Sequence, residues 1–195
     1  MTTTHRVWIV DDHPMACDLL RERLIALGPP WEVVYCGGSL EAALDVCRSV
    51  AGDPRRDVAL VDLDLGEDSD WLSGVRAFRD GGVSVILISA AGDPAQVQRG
   101  IAAGAFAYLP KPVGASGLLN ALNALGSGTV HGTADLAGKL AMPVIAGVRL
   151  TDTESRVLML WAAGMSPDAI AMSVGESPAT VRTVMVDALA QYRQP

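Results

Sequence analysis

The sequence predicts a doubly wound α/β domain with a five-stranded parallel sheet, followed by a small all-α domain. Short apolar runs alternate with amphipathic helical segments over residues 7–125, which is the pattern of a parallel α/β sheet. Residues 150–192 instead carry three short helical segments separated by glycines. With 195 residues, the chain is long enough for one large domain or two small ones.

The predicted strands of the first domain are almost entirely apolar, as expected when helices cover both faces of a sheet. They are Val7–Val10, Glu32–Tyr35, Val58–Val61, Val83–Ile88 and Ala107–Leu109. The predicted helices between and after them are Pro14–Leu27, Leu40–Val50, Trp71–Arg79, residues 94–104 and Leu118–Leu125.

The sequence divides into three parts. Residues 1–126 form the predicted α/β domain, and 127–149 form a linker with one short helix near Asp135–Leu140. Residues 150–195 form the second domain, which opens with a capping box at Thr151 and Glu154. The glycine-containing turn between its last two helices indicates a helix-turn-helix.

Composition excludes several classes of protein. No apolar run reaches the roughly 18 residues that a membrane helix needs, and the N-terminus lacks the regions of a signal peptide. We therefore expect a cytoplasmic protein without a membrane partner. The three cysteines are odd in number and form no CxxC pair, which disfavours a zinc site.

Polar residues follow four of the predicted strands at their C-terminal ends, where ligands bind in an open parallel sheet. They are Asp11, Asp12, Asp62, Ser89 and Lys111. Three carboxylates close together need a cation between them, and Mg²⁺ prefers oxygen ligands. We expect Asp12 and Asp62 to be direct ligands.

The remaining groups complete a site for phosphoryl transfer. The Asp64 backbone carbonyl adds a ligand oxygen, and Asp11 holds a water on the metal. Asp62 is the expected nucleophile. Lys111 and Ser89 stabilise the oxygens of the phosphoryl group. We interpret His13 as a surface residue of the first helix.

Four segments resemble bacterial two-component response regulators of the LuxR/NarL type, and the resemblance to their receiver domain covers residues 6–125. The segments are Ile9–Pro14, Asp57–Leu65, Ile86–Ala90 and Gly104–Pro112. The resemblance implies a flavodoxin-like receiver in which a sensor histidine kinase phosphorylates Asp62. It also implies a switch pair, Ser89 and Tyr108, and a cis peptide at Lys111–Pro112.

The resemblance further implies a protein that is not an enzyme beyond its own phosphorylation and dephosphorylation, and that forms a homodimer on activation. The sequence departs from the family at Gly66, where proline is common, and in the acidic residues 67–70. Acidic side chains near Asp62 are expected to weaken or slow phosphorylation.

Residues 150–192 resemble the LuxR-type output domain, whose last helix enters the DNA major groove. The predicted DNA-binding residues are Thr180, Arg182 and Thr183. Residues 150–195 contain three arginines and five acidic residues, and Val184, Met185, Val186 and Asp187 follow Arg182 where basic or polar residues are common. Because phosphate neutralisation supplies most non-specific affinity, we expect weak or dimer-dependent DNA binding.

Two alternatives remain open. The helix-turn-helix is also consistent with a protein-docking module that uses an exposed Val184/Met185/Val186 surface. An enzyme of the haloacid dehalogenase class also uses an aspartate nucleophile with Mg²⁺, and Asp62-Leu63-Asp64 supplies its DxD pair. The Asp11-Asp12 pair and the helix-turn-helix argue against that enzyme class.

Overall fold

The computed structural model describes residues 4–50, 57–66, 69–112, 114–125 and 132–193. Five parallel strands form one sheet in the order β2-β1-β3-β4-β5. They are β1 (His5–Val10), β2 (Trp31–Gly37), β3 (Val58–Asp62), β4 (Ser84–Ser89) and β5 (Ala107–Pro110). The predicted doubly wound α/β fold is confirmed, with strand ends displaced by up to two residues.

Five helices surround the sheet, and each lies within three residues of its predicted position. They are α1 (Pro14–Leu27), α2 (Leu40–Ser49), α3 (Trp71–Asp80), α4 (Pro94–Ala103) and α5 (Ala115–Asn123). Side-chain caps fix the starts of three of them: Ser39, Asp70 and Asp93 each accept a hydrogen bond from a backbone N–H of the first turn.

Two apolar layers hold these helices to the sheet. Leu20, Leu24, Leu118 and Leu122 of α1 and α5 pack on one face. Val75, Phe78, Val97 and Ile101 of α3 and α4 pack on the other. All eight side chains are buried, so the hydrophobic effect fixes the helices and thereby the loops at the C-terminal strand edge.

The C-terminal region is helical, as predicted. Its elements are α6 (Ala134–Leu140), α7 (Asp152–Ala162), α8 (Pro167–Val174) and α9 (Pro178–Gln191). The Thr151–Glu154 capping box is present at the start of α7. Val157, Ile170, Val181 and Met185 form a small core among α7, α8 and α9.

The short helix predicted in the linker is present as α6, but its surroundings were not predicted. Leu136, Ala137 and Leu140 are fully buried in the same cluster as Val97 and Ile101 of α4. The described part of this segment therefore packs against the α/β domain. Residues 127–131 of the predicted linker, and the acidic residues Glu67 and Asp68, lie outside the described ranges.

Within the described ranges, the cis peptide bond joins Pro29 to Pro30. The Lys111–Pro112 bond is trans, so the cis peptide that the resemblance implies there is wrong; trans is the lower-energy isomer of an X–Pro bond. In the described part of the chain, every helix is too short or too polar to cross a bilayer.

Candidate phosphoryl-acceptor site

The sheet order brings the predicted site residues together at one edge. Strand β3 lies between β1 and β4, so Asp11 after β1 and Asp62 at the end of β3 are neighbours. Lys111 follows β5, and its backbone N–H donates to the carbonyl of Ser89 at 2.8 Å. Both aspartates are almost completely buried, at 3% and 1% exposure.

Lys111 is the cation of this cluster. Its Nζ lies 2.7 Å from Oδ2 of Asp62 and 3.0 Å from Oδ2 of Asp11. Burial lowers the pKa of Lys111, but its hydrogen bonds and ion pairs with Asp62 and Asp11 outweigh burial, so the net shift is upward. The lysine therefore stays protonated at neutral pH.

Asp62 has two unlike carboxylate oxygens. Oδ2 accepts the hydrogen bond from Lys111, whereas Oδ1 is buried and has no hydrogen-bond partner among the described residues. Burial and the nearby charge of Asp11 raise the pKa of Asp62, whereas hydrogen bonds from Lys111 and the Asp64 backbone lower it. The net shift is upward. A buried, unpartnered carboxylate oxygen is costly unless a ligand or ion satisfies it.

The mouth of the site is formed by Asp12 and His13. Oδ1 of Asp12 lies 2.7 Å from Nδ1 of His13, and the ligand atoms of Asp11, Asp12, His13 and Asp62 all lie within 4.8 Å of one another. The prediction that His13 lies at the surface is confirmed. Its side chain also lies beside the carboxylates; the sequence favours the surface interpretation over a proton donor or ligand, because a residue one place after an acidic pair gives no signal of where its side chain turns.

Ser89 lies at the same edge but contacts Asp64. Its hydroxyl donates to Oδ2 of Asp64 at 3.2 Å and accepts from the Gly92 N–H at 2.9 Å. Only the backbone carbonyl of Asp64 was predicted to belong to the site, and this side-chain contact was not predicted. The metal-binding role of the Asp64 backbone carbonyl stays a prediction.

Tyr108 lies in the buried cluster next to the β4–α4 loop. It is 2% exposed, and burial raises the pKa of its hydroxyl, with smaller effects from Asp135 and Asp64. Gly92 makes this position possible: a Cβ on Gly92 would lie 2.1 Å from the Tyr108 hydroxyl oxygen. Gly92 also has a positive φ of 54°, which favours glycine.

The predicted DNA-contacting residues lie on the outer face of α9. Thr180, Arg182 and Thr183 are exposed, together with Ala179 and Val186, as the helical spacing predicts. The Arg182 guanidinium reaches Oδ1 of Asp168 only at 3.9 Å, with both side chains largely exposed. Arg182 is therefore available for another anionic partner.

The docking surface of the alternative prediction, Val184/Met185/Val186 on α9, is exposed only in part. Met185 is 6% exposed and belongs to the small core, and Val184 packs against that core. Val186 is 46% exposed. The helix turns Met185 inward because it follows Val181 by four residues, which puts both on one face.

Comparisons with known proteins identify similar sequences and structures. The sequence profile described as "Response regulator receiver domain" matches residues 7–123. The "Transcriptional regulatory protein UhpA" of Salmonella typhimurium strain LT2 is 32% identical over 179 residues, which cover 90% of this chain and 85% of that protein.

Solved structures of the RcsB response regulator from Salmonella share the fold. The match to one of them covers 98% of this chain and 93% of the RcsB chain, with a TM-score of 0.61 and 22% sequence identity. Another, bound to promoter rprA in the presence of the phosphomimetic BeF3-, covers 99% and 94% with a TM-score of 0.58 and 22% identity. At these identities the likeness concerns the fold alone.

Proposed function

We propose a function from one premise: the chain belongs to the response regulator receiver family. The chain is a phosphorylation-controlled regulator of transcription, in which Asp62 accepts a phosphoryl group from a histidine kinase. Support comes from UhpA, a named transcriptional regulatory protein that is similar over 90% of the chain. The observation that carries the assignment of Asp62 is its buried carboxylate: Oδ1 is unpartnered among the described groups, and Oδ2 lies 2.7 Å from Nζ of Lys111.

The residues present fit a magnesium ion. Asp12 and Asp62 would supply carboxylate ligands, the Asp64 carbonyl a further oxygen, and Asp11 would hold a water. The fit is supported by the unpartnered Oδ1 of Asp62 and by carboxylate oxygens that converge within 4.8 Å. When bound, the ion would neutralise negative charge on the reacting phosphoryl group.

The transfer itself uses the side chains of this chain. Oδ1 of Asp62 attacks phosphorus, a P–O bond forms as the P–N bond of the kinase phosphohistidine breaks, and the departing imidazole nitrogen takes a proton from solvent. Lys111, 2.7 Å from Oδ2, remains near the new acyl phosphate and pairs with a phosphoryl oxygen. Its charge offsets the negative charge that the phosphoryl group brings.

Ser89 and Tyr108 are the proposed switch residues. The Ser89 hydroxyl leaves Oδ2 of Asp64 and donates to a phosphoryl oxygen, which changes the β4–α4 loop at Gly92. Because the Tyr108 hydroxyl lies against Gly92, a movement of that loop changes the space available to the tyrosine. The chemistry of the chain is limited to this phosphoryl uptake and its hydrolysis.

The output of the proposed regulator is DNA binding through α9. Thr180, Arg182 and Thr183 face outward, and RcsB, which shares the fold, is described in complex with a promoter. With one exposed cation on that face, two copies of the chain are needed for firm binding, so we propose a homodimer on DNA in the cytoplasm. The burial of Met185 disfavours the protein-docking alternative.

The experiment is a DNA selection on the full chain. Fluorescent duplexes of randomised sequence are enriched on protein treated with a small acyl phosphate and Mg²⁺, and the selected duplexes are then titrated. Tighter binding after treatment is expected for the unmodified protein and for the control Asp45→Asn, an exposed acid on α2. Asp62→Asn is expected not to respond. Equal affinity of treated and untreated protein, or a response in Asp62→Asn, would contradict the proposal.

A further inference from the structure

Gln98 is a polar residue with no exposed surface, on helix α4. Its side-chain nitrogen donates to the carbonyl oxygens of Lys139, at 2.8 Å, and Met142, at 2.9 Å. Its side-chain oxygen accepts from the backbone N–H groups of Val144, at 2.9 Å, and Ile145, at 3.3 Å. A primary amide has two donors and two acceptor sites, so all four are used.

These four bonds connect α4 to the end of α6, at Lys139, and to the segment that follows it, at Met142, Val144 and Ile145. The last carbonyls of a helix have no partner within the helix, and Gln98 supplies one for Lys139. Leu136 and Leu140 of α6 are buried in the same cluster as Tyr108. Helix α6 is thus fixed over the part of the domain that contains the proposed switch tyrosine.

The attachment continues from α6 to the end of α9. The Tyr192 hydroxyl, which is buried, donates to the carbonyl of Leu140 at 2.6 Å. The Arg193 guanidinium donates to the carbonyl of Ala105 at 3.0 Å, just before β5. Two segments of the α/β domain therefore hold the helical region, one through α6 and one through the residues after α9.

This attachment leaves the outer face of α9 accessible. Arg182 is 61% exposed, and Thr180 and Thr183 are exposed as well. The contacts lie at the far end of the helix: Leu189 and Tyr192 belong to the large buried cluster, Tyr192 bonds to Leu140 of α6, and Arg193 bonds to Ala105 of the α/β domain. The docked arrangement fixes the orientation of the recognition face without covering it.

We propose that Gln98 is a latch residue that sets whether the α6–α9 region is docked on α4 in this orientation or released from it. Release allows the recognition faces of two copies to be arranged together. The arrangement of two copies links the latch to signalling, and only that link rests on the proposed function. The latch itself concerns the unphosphorylated chain.

The Gln98 amide is completely buried. If Gln98 becomes Met, side-chain volume is kept, but two carbonyls and two N–H groups lose their partner inside the contact. Those groups recover hydrogen bonds with water when residues 139–145 leave α4. The substitution therefore favours the released form by roughly tenfold or more, the range expected for unsatisfied buried groups.

Hydrogen exchange of the full chain, followed by mass spectrometry of its peptides, tests the latch. In Gln98→Met without phosphodonor, exchange in α6 and in residues 188–193 is expected to rise at least tenfold, while β1 and β3 stay protected. The matched control is Gln96→Met, two residues earlier on the same helix and half-buried. It is expected to leave exchange of both segments unchanged.

A second variant separates the two attachments. Tyr192→Phe removes the hydrogen bond to Leu140, so exchange is expected to rise in residues 188–193 while α6 stays protected by Gln98. It also keeps the proposal testable if Gln98→Met does not fold. Unchanged exchange of residues 188–193 in Gln98→Met, or equal effects of Gln98→Met and Gln96→Met, would overturn the latch. So would loss of α6 protection in Tyr192→Phe.

The link to signalling has its own readout. Treatment of the unmodified protein with a small acyl phosphate and Mg²⁺ is expected to raise exchange in α6, and Gln98→Met is expected to show high exchange before treatment and no further rise. Phosphoryl uptake by the same samples is measured in parallel. If no sample takes up phosphate, the proposed function fails while the latch result stands; uptake without a change in α6 contradicts the link.

Discussion

Lys111 and Asp62 form an asymmetric pair: the ammonium lies 2.7 Å from Oδ2, and Oδ1 is left buried without a hydrogen-bond partner among the described groups. One oxygen of the carboxylate is thereby held, and the carboxylate belongs to the cluster in which ligand atoms of Asp11, Asp12, His13 and Asp62 lie within 4.8 Å of one another. This relationship orients the carboxylate for attack with one defined oxygen. It also makes the local charge balance depend on a single lysine.

Replacing that lysine should destabilise the protein and increase its response to Mg²⁺. Lys111→Met leaves Asp11 and Asp62 buried without their cation, and we expect a loss of about 2 kcal/mol in the free energy of unfolding. Added Mg²⁺ should recover part of this loss by mass action. Urea unfolding with and without Mg²⁺ measures both effects.

The matched control is Lys139→Met, at the other lysine of the sequence, whose Nζ lies 3.4 Å from the carbonyl of Ala91. It should change stability by less than about 0.5 kcal/mol. A loss of the same size in both variants would show that the Lys111 ion pairs contribute nothing particular.

Stability should depend on pH through Asp62. Its folded pKa is raised, mainly by burial, so the native state holds a proton more tightly than the unfolded chain does. The contribution of Asp62 to stability therefore falls as pH rises from the ordinary value of 3.8 through the raised pKa. Asp62→Asn has no such titration and should be more stable at pH 7 without Mg²⁺, by about 1 kcal/mol.

The measurement is the free energy of unfolding of both proteins as a function of pH. The difference between them should shrink as pH falls towards 3.8. An Asp62→Asn protein that is less stable than the unmodified protein at pH 7 would mean that the ion pair with Lys111 outweighs burial.

Gly92 should be required for the buried position of Tyr108. In Gly92→Ala the new Cβ would meet the tyrosine hydroxyl oxygen at 2.1 Å, at a φ of 54°, and we expect a loss of about 3 kcal/mol. Gly147→Ala carries a similar backbone penalty at a φ of 95° but meets nothing within 4 Å. It should cost about 1 kcal/mol.

A double-mutant cycle with Tyr108→Phe separates the clash from the backbone strain. Because phenylalanine lacks the hydroxyl, the cost of Gly92→Ala should decrease in that background, although the ring carbon at 2.8 Å keeps part of it. Strictly additive costs would show that the contact does not hold Tyr108 in place.

Arg182→Ala should weaken DNA binding by the full chain by roughly 1–3 kcal/mol if the guanidinium contacts a base, and should reduce the salt dependence if it contacts a phosphate. Arg48→Ala, an exposed arginine on α2, is the control. Fluorescence anisotropy with the selected duplexes across salt concentrations measures both. Unchanged affinity and salt slope in Arg182→Ala would place the recognition surface elsewhere.

The sequence predicted the sheet and the clustered carboxylates because both follow from local patterns. Apolar runs such as Val58–Val61 mark buried strands, and parallel strands bring their C-terminal ends to one edge. The docking of α6 could not be predicted, since its apolar spacing fits any helix on any apolar surface. Gln98 has the same sequence signal as the half-buried Gln96, and only the tertiary structure separates them.

The same limit applies around the site. The contact between Ser89 and the Asp64 side chain depends on the course of the loop after β3, which no periodicity specifies. The 2.7 Å contact between Nδ1 of His13 and Oδ1 of Asp12 depends on the rotamers of two neighbouring residues. Strand ends are predictable from hydrophobic pattern, whereas loop conformations and side-chain partners depend on the assembled structure.

The most direct test of the account locates the phosphoryl group. The full chain is incubated with a small acyl phosphate and Mg²⁺, reduced with borohydride to convert an aspartyl phosphate into homoserine, digested and sequenced by mass spectrometry. The account predicts a single modified residue, Asp62, and no modification in Asp62→Asn. Modification at Asp11, Asp12 or Asp64 instead, or equal phosphoryl uptake by Asp62→Asn, would contradict it.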